Sequence, residues 1–217
     1  MVRRTKEEAM ETRFSILDAA EQCFHEKGIS STTLSDVAKA AGVTRGAIYW
    51  HFQDKSDLLD ALLERMITPL DPLGETTRSA DEPDPLGRMQ ELISQIFQRV
   101  EQDPSNRRVH EILYLRCEQS QQNSELYRRL QTMYETHLEH CSLALLNAVN
   151  KGQLPKTLDI PSASFTLSGF ISGIIYHWLM TPNQLSLAAR ADALASACID
   201  MLRLSPALLT TQEIPAQ

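Results

Sequence analysis

Prolines divide this 217-residue chain into segments that predict its fold. The first of its ten prolines is Pro69, and long proline-free stretches lie before it and between the later ones. Because proline breaks the interior of a helix, these stretches can be helices and the prolines mark their boundaries. Glycine is scarce, and alternating segments rich in Val, Ile or Thr are missing, which disfavours strands. The chain is therefore predicted to be all-α.

Apolar periodicity predicts a first helix at about residues 7–27. Its apolar residues recur at steps of three and four, which gives the helix one apolar face formed by Met10, Phe14, Leu17, Ala20 and Phe24. Further helices are predicted at residues 34–41, 45–52, 55–68, 86–101, 105–117, 124–151, 162–180 and 187–204. Residues 69–85 are rich in Pro, Asp and Gly and predict a loop, and the tail from Ser205 predicts a frayed end.

Charge is distributed unevenly along the chain. Residues 1–55 carry eight Lys and Arg and eight Asp and Glu, so the whole net charge of −7 belongs to the later part. This balance argues against bulk coating of nucleic acid or of an anionic membrane, but it allows a local basic patch. A small first module that approaches a polyanion, followed by a larger body, fits the pattern.

Targeting signals and cysteine motifs are not recognisable. No secretory h-region follows the first charged residues, and the apolar stretch Phe170–Met180 is too short to span a bilayer. The four cysteines show no CxxC pattern, which disfavours a disulfide framework or a zinc finger: Cys23, Cys117, Cys141 and Cys198. We expect a cytoplasmic protein with no membrane partner and no cofactor.

Residues 33–52, TLSDVAKAAGVTRGAIYWHF, have the pattern of a helix-turn-helix. Thr33 and Thr44 can each cap the start of one short helix. Val37 and Ile48 are predicted to face each other between the helices, and Gly42 gives the tight turn its backbone freedom. In this architecture the second helix enters the DNA major groove.

The second short helix is predicted to expose donors suited to guanine edges and phosphates. These are Arg45, Tyr49 and His51, with Lys55 just beyond. Two packed helices without a nucleic-acid role are the alternative, and the exposed donors argue against it. A flexible basic arm precedes the first helix and is formed by Arg3, Arg4 and Lys6.

The segments VRRTKEEA at residues 2–9 and TRGAIYWHF at residues 44–52, with the residues up to Leu63, resemble the TetR family of one-component repressors. The nearest branch is the AcrR/TtgR type, which controls multidrug efflux pumps. The likeness is dense over residues 1–65 and thinner through residues 84–87, 111–113, 117–118, 152–155 and 200–207. It implies a three-helix DNA-binding domain with its basic arm at residues 1–54 and a larger helical effector-binding and dimerisation domain at residues 55–210. Residues 211–217 are expected to form a disordered tail.

The resemblance implies a homodimer whose two recognition helices read a palindromic operator in double-stranded DNA. Whether one dimer or two occupy the operator stays open. It also implies control of an efflux operon and of the protein's own gene. Base contacts are assigned to Arg45 and Tyr49, and Gly46 is expected to allow close approach of the helix. Thr33, Thr44, His51 and Lys55 are assigned to phosphates, and Trp50 and Phe52 to packing.

An apolar effector cavity after residue 65 is also implied by the resemblance. Its expected apolar lining is Ile96, Leu113, Met133, Ile171 and Ile175, for which ordinary core packing is an equal alternative. Polar side chains expected to point inward are His110, Tyr114, His137, Ser168, Ser172 and Tyr176. Because Ser172 and Tyr176 are uncharged, we expect small hydrophobic or aromatic effectors that are neutral rather than cationic.

The dimer interface is predicted on the last two long helices. Gly169 and Gly173 would let two backbones approach closely. A stripe at helical spacing is predicted to contact the partner, with intramolecular core as the alternative: Leu187, Ala191, Leu194, Cys198 and Leu202. The helix at residues 55–68 joins the two parts of the chain, so its movement would change the separation of the recognition helices and release the DNA.

Other function classes find less support in the sequence. His137, His140 and Cys141 could supply donors to a metal, but no further ligands are identifiable, so no metal site is predicted. Instead His137 is expected to face the cavity, His140 the solvent and Cys141 the core. No GxSxG, HExxH, P-loop or Rossmann pattern is present, which disfavours an enzyme. An all-α small-molecule carrier, an activator and a DNA binder without a ligand remain as alternatives.

Overall fold

The computed structural model describes residues 6–116 and 124–210. These residues are predominantly helical, which confirms the all-α prediction. The α-helices are α1 (Lys6–Lys27), α2 (Leu34–Ala40), α3 (Arg45–His51), α4 (Lys55–Ile67), α5 (Asp71–Arg78), α6 (Pro85–Gln102), α7 (Pro104–Glu111), α8 (Ser124–Asn150), α9 (Ile160–Met180) and α10 (Leu187–Leu204). Short 3-10 turns lie at Thr68–Leu70 and Pro206–Leu208, and a π-helical segment at Ile112–Arg116 follows α7.

The predicted loop at residues 69–85 is wrong over most of its length. A 3-10 turn leads directly into α5, and only the residues after Arg78 form a connection to α6. Pro72 lies in the first turn of α5, where its missing N–H leaves no helical bond unmade. Proline there starts a helix instead of breaking one.

The predicted fraying from Ser205 is wrong as far as Thr210. The amide of Asp159 donates to the carbonyl of Leu208 at 2.8 Å, and the amide of Thr210 donates to the carbonyl of Thr157 at 2.7 Å. Leu208 is buried in the core, so this segment is held against the start of α9. The predicted disordered tail, residues 211–217, lies outside the described residues.

The chain packs as two compact units. The first contains residues 1–67 and 104–130, and the second contains residues 68–103 and 131–217. The predicted boundary after residue 54 divides the chain differently, because α4 and α7 pack against α1 beside the helix-turn-helix. The core of the first unit includes Ile16, Leu17, Ala20, Phe24, Val37, Ile48, Phe52, Leu58, Leu62, Val109 and Ile112.

The predicted apolar face of α1 is only partly buried. Leu17, Ala20 and Phe24 are in the core, whereas Met10 and Phe14 are 50% and 49% exposed. The buried residues of α1 begin only at Ile16, so the N-terminal half of the helix has no core to face within the described part of the unit. The apolar face predicted from the sequence is therefore longer than the part of it that the core buries.

The second unit is built around α6, which packs along α10 and also contacts α5 and α9. Polar pairs fix the α6–α10 alignment: Ser94 Oγ donates to Asp192 at 2.5 Å, and Glu101 accepts from the amide of Ala188 at 2.6 Å, at the start of α10. Its core includes Leu86, Met89, Ile93, Phe97, Leu145, Ala148, Leu167, Trp178, Leu187 and Leu202. Among the described residues, no helix has the length and apolarity needed to cross a membrane.

Candidate nucleic-acid interface and effector region

Two side chains cap each other at the start of α2. The hydroxyl of Thr33 accepts a hydrogen bond from the amide of Asp36 at 3.1 Å, and the carboxylate of Asp36 accepts one from the amide of Thr33 at 2.9 Å. Hydrogen bonds from Thr33 lower the pKa of Asp36. This reciprocal arrangement satisfies two amides that a helix start leaves without helical partners, so the capping predicted for Thr33 is confirmed.

The turn after α2 and the start of α3 are also set by local chemistry. Gly42 has φ +67°, in the left-handed region that glycine adopts without a Cβ penalty. The Thr44 side chain then accepts from the amide of Ala47 at 3.2 Å and caps α3. Val37 and Ile48 are fully buried, and Ile48 is the buried residue of α3. Ile48 is thus the buried anchor of α3 and Thr44 its cap, and most of the seven-residue helix lies at the surface.

The exposed face of α3 carries Arg45, Tyr49 and Trp50. The Arg45 guanidinium lies 5.7 Å from the centre of the Tyr49 ring. Trp50 is 73% exposed, so the packing role predicted for it is wrong. Its ring lies edge-on to the His51 ring, with 4.5 Å between the ring centres. Phe52 is buried as expected. The exposed surface of this short helix therefore carries a guanidinium group and two aromatic rings, and an imidazole lies at its C-terminal end.

Gly46 leaves space on the same helix. An added Cβ would meet no atom nearer than Thr44 Oγ1, at 4.0 Å, so the fold itself does not require glycine there. The open space permits another molecule to approach the backbone of the first turn of α3.

Lys55 has a structural role in the free protein. Its ammonium group donates to the carbonyl of Ile29 at 2.9 Å and to the carbonyl of Ser30 at 3.0 Å, which ties the start of α4 to the segment before α2. Burial lowers its pKa. The phosphate contacts assigned to Lys55 and Thr33 stay predictions, since both side chains already have partners inside the unit. Arg3 and Arg4 lie outside the described residues.

The side chains predicted to bind the effector fall in both units. His110, Leu113 and Tyr114 belong to the first unit and the others to the second, and a common cavity stays a prediction. Ile175 is buried in the core of its unit, and Ile96 and Ile171 pack against that core. Met133 and Ser172 are half-buried, Ser168 is buried, and Tyr176 is exposed.

His110 is held in one protonation state by its surroundings. Its Nδ1 lies 2.9 Å from the carbonyl oxygen of Asn106, which can only accept, so Nδ1 carries the hydrogen. Burial lowers the pKa of His110, which favours the neutral ring. The ring of Tyr114 lies nearly parallel to it, with 6.2 Å between the ring centres. Nε2 is therefore an acceptor, as a ligand hydroxyl would require.

His137, on α8, lies 3.3 Å from the hydroxyl of Ser168 on α9. His137 and His140 are both exposed on α8, and desolvation of the His137 ring together with the nearby His140 lowers the pKa of His137. Cys141 packs against the core, and burial raises its pKa to about 11. Within residues 6–116 and 124–210, no group of three His, Cys, Asp or Glu side chains could hold a metal ion.

Two family models match the chain over both units. Residues 16–62 match the model described as "Bacterial regulatory proteins, tetR family", and residues 84–204 match "MAATS-type transcriptional repressor, C-terminal region". The chain belongs to the TetR family. It is therefore a transcriptional regulator and not an enzyme.

Relatives of known structure or name agree with this assignment. The regulator TtgR of Pseudomonas putida is 44% identical, over 96% of this chain and 99% of TtgR. NalD, the secondary repressor of the MexAB-OprM multidrug efflux pump of Pseudomonas aeruginosa, has a TM-score of 0.78 at 32% identity, over 92% of this chain and 100% of NalD. SmeT of Stenotrophomonas maltophilia, in complex with triclosan, has a TM-score of 0.80 at 29% identity, over 95% of this chain and 100% of SmeT.

The predicted dimer stripe of this TetR-family chain is wrong in four of its five residues. Leu187, Ala191, Cys198 and Leu202 are at most 1% exposed within a single chain, because α10 turns this face towards α6. Residues so deeply buried have no surface left for a partner.

An apolar groove of about 510 Å³ lies instead between α9, α10 and the segment that joins them. Gly169, Gly173 and Leu194 line it, so the close-approach glycines of α9 and Leu194 of the predicted stripe are accessible. Leu187 of the stripe also lies on the wall but is fully buried. Phe170, Ile174, His177 and Leu185 are further apolar and aromatic residues of the wall.

Three features of the TetR-family fold were missed from the sequence. The exposure of Trp50 follows from its position two residues after the buried Ile48, which places it about 200° around a helix of 3.6 residues per turn. The hydrogen bonds of Lys55 are made to the backbone carbonyls of Ile29 and Ser30. Every residue has such a carbonyl, so no pattern of side chains in the sequence indicates these bonds. The burial of Glu21 had a weak signal, because an acid follows Leu17 by one helical turn on the apolar face of α1.

Proposed function

We propose that the chain is a repressor that binds a palindromic operator in double-stranded DNA as a homodimer and leaves it when a small aromatic effector binds. The observation that carries this proposal is α3, a capped helix with a single buried anchor and an exposed face of Arg45, Tyr49 and Trp50. Such a helix has its side chains free for a groove. The proposed place of action is the cytoplasm.

Each exposed residue of α3 has a proposed role on the DNA. Arg45 and Tyr49 contact base edges, where the guanidinium fork suits the two acceptors of guanine. Thr44 and His51 contact phosphates, and Trp50 adds its indole N–H or an apolar contact with a thymine methyl group. Gly46 lets the helix backbone approach the duplex, since nothing occupies the space beside it.

The proposed target is an efflux operon together with the protein's own gene. Two structural relatives, NalD and SmeT, are repressors of multidrug efflux pumps, and each matches this chain over both of its units. The same function is proposed here, since the family models also cover both parts of the chain.

The proposed effector is neutral, aromatic and carries a hydroxyl group. His110 offers Nε2 as an acceptor, because its hydrogen is on Nδ1, which donates to the carbonyl oxygen of Asn106. Ser172 and Tyr176 add no charge to attract a cation. Calorimetry with a neutral phenolic and a cationic dye of similar size tests this choice. Tighter binding of the dye would contradict it.

The proposed dimer uses the groove on α9 and α10. Gly169 and Gly173 lie on its wall with no atom within 4 Å of an added Cβ, so a second helix has room to approach. Two-fold symmetry then places two recognition helices on half-sites roughly 34–36 Å apart, or a multiple of that.

Fluorescence anisotropy with the DNA directly upstream of the gene tests the proposal. Wild type, Arg45→Ala and the control Arg88→Ala are titrated at two salt concentrations. Arg88 is an exposed arginine of the second unit that pairs with Glu91, so its loss removes the same charge from the unit that does not contain α3. We expect Arg45→Ala to lose affinity by roughly 1–3 kcal/mol, the usual worth of a bidentate base contact, and Arg88→Ala to bind as wild type does.

A panel of neutral aromatic compounds is then added to the wild-type complex. Release of the DNA by one of them supports a ligand-responsive repressor. Specific binding that none of them reverses contradicts the effector part and favours a DNA binder without this class of ligand. Absence of specific binding at moderate salt contradicts the whole proposal and favours a small-molecule carrier.

A further inference from the structure

Glu21 is a buried carboxylate on α1 that connects three helices of the first unit. Only 2% of its surface is exposed. One carboxylate oxygen accepts from Nε of Arg108 on α7 at 2.5 Å, and the other accepts from Oγ of Ser105 at 2.5 Å and from Arg65 on α4. Asp18, one turn earlier on α1, also accepts from Arg65 at 2.6 Å. Glu21, Arg65, Ser105 and Arg108 are called the Glu21 cluster below.

A buried charge of this kind holds a particular arrangement of helices. Acidic side chains are almost never fully buried unless they are paired, and well-packed apolar residues would stabilise the same space at least as well. Neither Arg65 nor Arg108 can move away from Glu21 without leaving part of its charge uncompensated inside the protein. The cluster therefore resists any separation of α1, α4 and α7.

The cluster lies close to two points at which the chain passes between its units. Arg65 is near the end of α4, just before Ile67, where the chain leaves the first unit. Ser105 follows Pro104, where the chain re-enters it. The same α1 packs against α2 of the helix-turn-helix. The Glu21 carboxylate thus bonds to Arg65 and Ser105, which lie beside the two points where the chain passes between its units. Glu21 itself belongs to α1, the helix that packs against the DNA-binding motif.

We propose that Glu21 is the positioning residue that transmits effector binding to the helix-turn-helix. This inference rests on the proposed function, since it concerns a repressor that an effector releases. A displacement of α4 or α7 is carried to α1 through the buried bonds of Glu21, and α1 carries it to α2. Without the carboxylate, Arg65 and Arg108 lose their buried bonds to α1. A displacement of α4 or α7 then moves these arginine side chains but not α1, and the helix-turn-helix keeps its position.

The measured quantity is the factor by which triclosan weakens DNA binding. Anisotropy with the upstream DNA gives the dissociation constant without and with saturating triclosan, and their ratio is the coupling factor. Such factors are typically about 5- to 150-fold, and DNA must weaken triclosan binding by the same factor. We expect Glu21→Gln, which keeps the shape and removes the charge, to reduce the factor by roughly 2- to 30-fold. Its affinities for DNA alone and for triclosan alone stay close to those of the wild type.

Two further variants separate coupling from mere loss of structure. Arg108→Gln removes the more exposed of the two arginines and leaves Glu21 bonded to Arg65 and Ser105, so it is the milder change. Asp60→Asn is the matched control, because Asp60 lies on the same helix as Arg65 and pairs with Arg129 at the surface of the same unit. Thermal unfolding reports whether each variant is folded.

A coupling factor reduced within the expected range in Glu21→Gln and reduced less in Arg108→Gln, with a wild-type factor in Asp60→Asn, supports the coupling. A full response in a folded Glu21→Gln overturns it. If Glu21→Gln does not fold, Arg108→Gln decides by the same criterion. A wild-type complex that triclosan leaves intact contradicts the effector part of the proposed function for this compound, leaves DNA binding unaffected, and overturns the coupling of triclosan to the helix-turn-helix.

Discussion

Gly46 shows how one residue separates folding from DNA binding. In α3 an alanine methyl would find open space, and alanine favours a helix over glycine by roughly 0.8–1 kcal/mol. We therefore expect Gly46→Ala to be at least as stable as the wild type in thermal unfolding. If the helix backbone meets the duplex there, the same methyl keeps the two apart. DNA affinity should then fall by about tenfold, equivalent to about 1.4 kcal/mol.

Both quantities are measured on the same preparation, by thermal unfolding and by anisotropy with the upstream DNA. A stable Gly46→Ala protein that binds DNA like the wild type would show that the duplex does not approach this position. Because the expected changes in stability and affinity have opposite signs, unfolding cannot account for a loss of binding.

The single residue His110 makes the free energy of unfolding depend on pH. Burial lowers its pKa in the folded state, so the unfolded chain takes up a proton at a higher pH than the folded protein does. Stability is therefore complete above the unfolded pKa of about 6.5 and is lost as the pH falls below it, by at most about 1.4 kcal/mol per pH unit for this group.

Urea unfolding at pH 7.5 and pH 5.5 measures this dependence. We expect His110→Gln to lose less stability than the wild type between the two values, because glutamine does not titrate. His137, whose pKa is also lowered, keeps a similar contribution in both proteins. An unchanged pH dependence in His110→Gln would contradict the prediction.

Which single residues could be predicted from the sequence depends on how local their partners are. Thr33 and Gly42 are set by neighbours a few residues away, and the sequence predicted both correctly. Glu21 depends on Arg65 and Arg108, which are distant in the chain, and a pattern of periodicity gives no sign of them. The sequence therefore indicated the helix-turn-helix but not the buried charges that support it.

Helix caps act at the scale of the element, and α3 depends on one. The Thr44 side chain accepts the hydrogen bond from Ala47 that would otherwise be missing at its start. We expect Thr44→Ala to destabilise the protein by about 0.5–2 kcal/mol in urea unfolding, and Thr44→Ser to keep most of the stability because serine retains the acceptor. Equal stability of Thr44→Ala and the wild type would show that the cap contributes nothing.

The same pair of variants tests what the cap does for binding. If Thr44 also contacts a phosphate, Thr44→Ala loses DNA affinity and its binding becomes less dependent on salt, whereas Thr44→Ser keeps both. A normal affinity in a folded Thr44→Ala protein would confine Thr44 to capping.

Elements were predicted where local signals begin and end them. The predicted segments at 34–41, 45–52 and 187–204 correspond closely to α2, α3 and α10, since each begins directly after a capping threonine or serine. The helix α5 was missed because Pro72 was interpreted as a breaker, although proline in the first turn favours a helix. The π-helical segment Ile112–Arg116 has no known sequence signal and was predicted as ordinary helix.

At the scale of the whole molecule, an apolar stripe tells that a face is buried but not what buries it. For the stripe on α10 the sequence predicts contact with a partner subunit, with intramolecular core as the alternative, and four of its five residues lie in the core of the same chain. Intramolecular and intermolecular packing require the same spacing, so the sequence could not distinguish them. The accessible surface is on α9, where Gly169 and Gly173 lie on the wall of the groove.

Gly173 provides the test of the dimer. An added Cβ meets nothing within 4 Å in the single chain, so Gly173→Ala is accommodated without rearrangement of the unit, and the longer side chain of Gly173→Arg starts from the wall of the open groove. An alanine is small enough to leave a helix–helix contact possible, whereas an arginine fills the groove and brings a charge to the centre of an apolar interface. We expect sedimentation to give twice the chain mass of 24.4 kDa for the wild type and Gly173→Ala, and the single mass for Gly173→Arg.

The consequence for DNA follows from symmetry. A monomer engages one half-site only, so Gly173→Arg should bind the upstream DNA more weakly than the wild type. Because dimerisation stabilises the folded chain by mass action, the unfolding temperature of Gly173→Arg should be lower than that of the wild type and independent of protein concentration. A Gly173→Arg protein that remains dimeric would place the interface elsewhere on the surface. One that becomes monomeric but keeps full affinity would contradict the pairing of two recognition helices on a palindrome, since that pairing is the physical reason for two-fold symmetry in the operator.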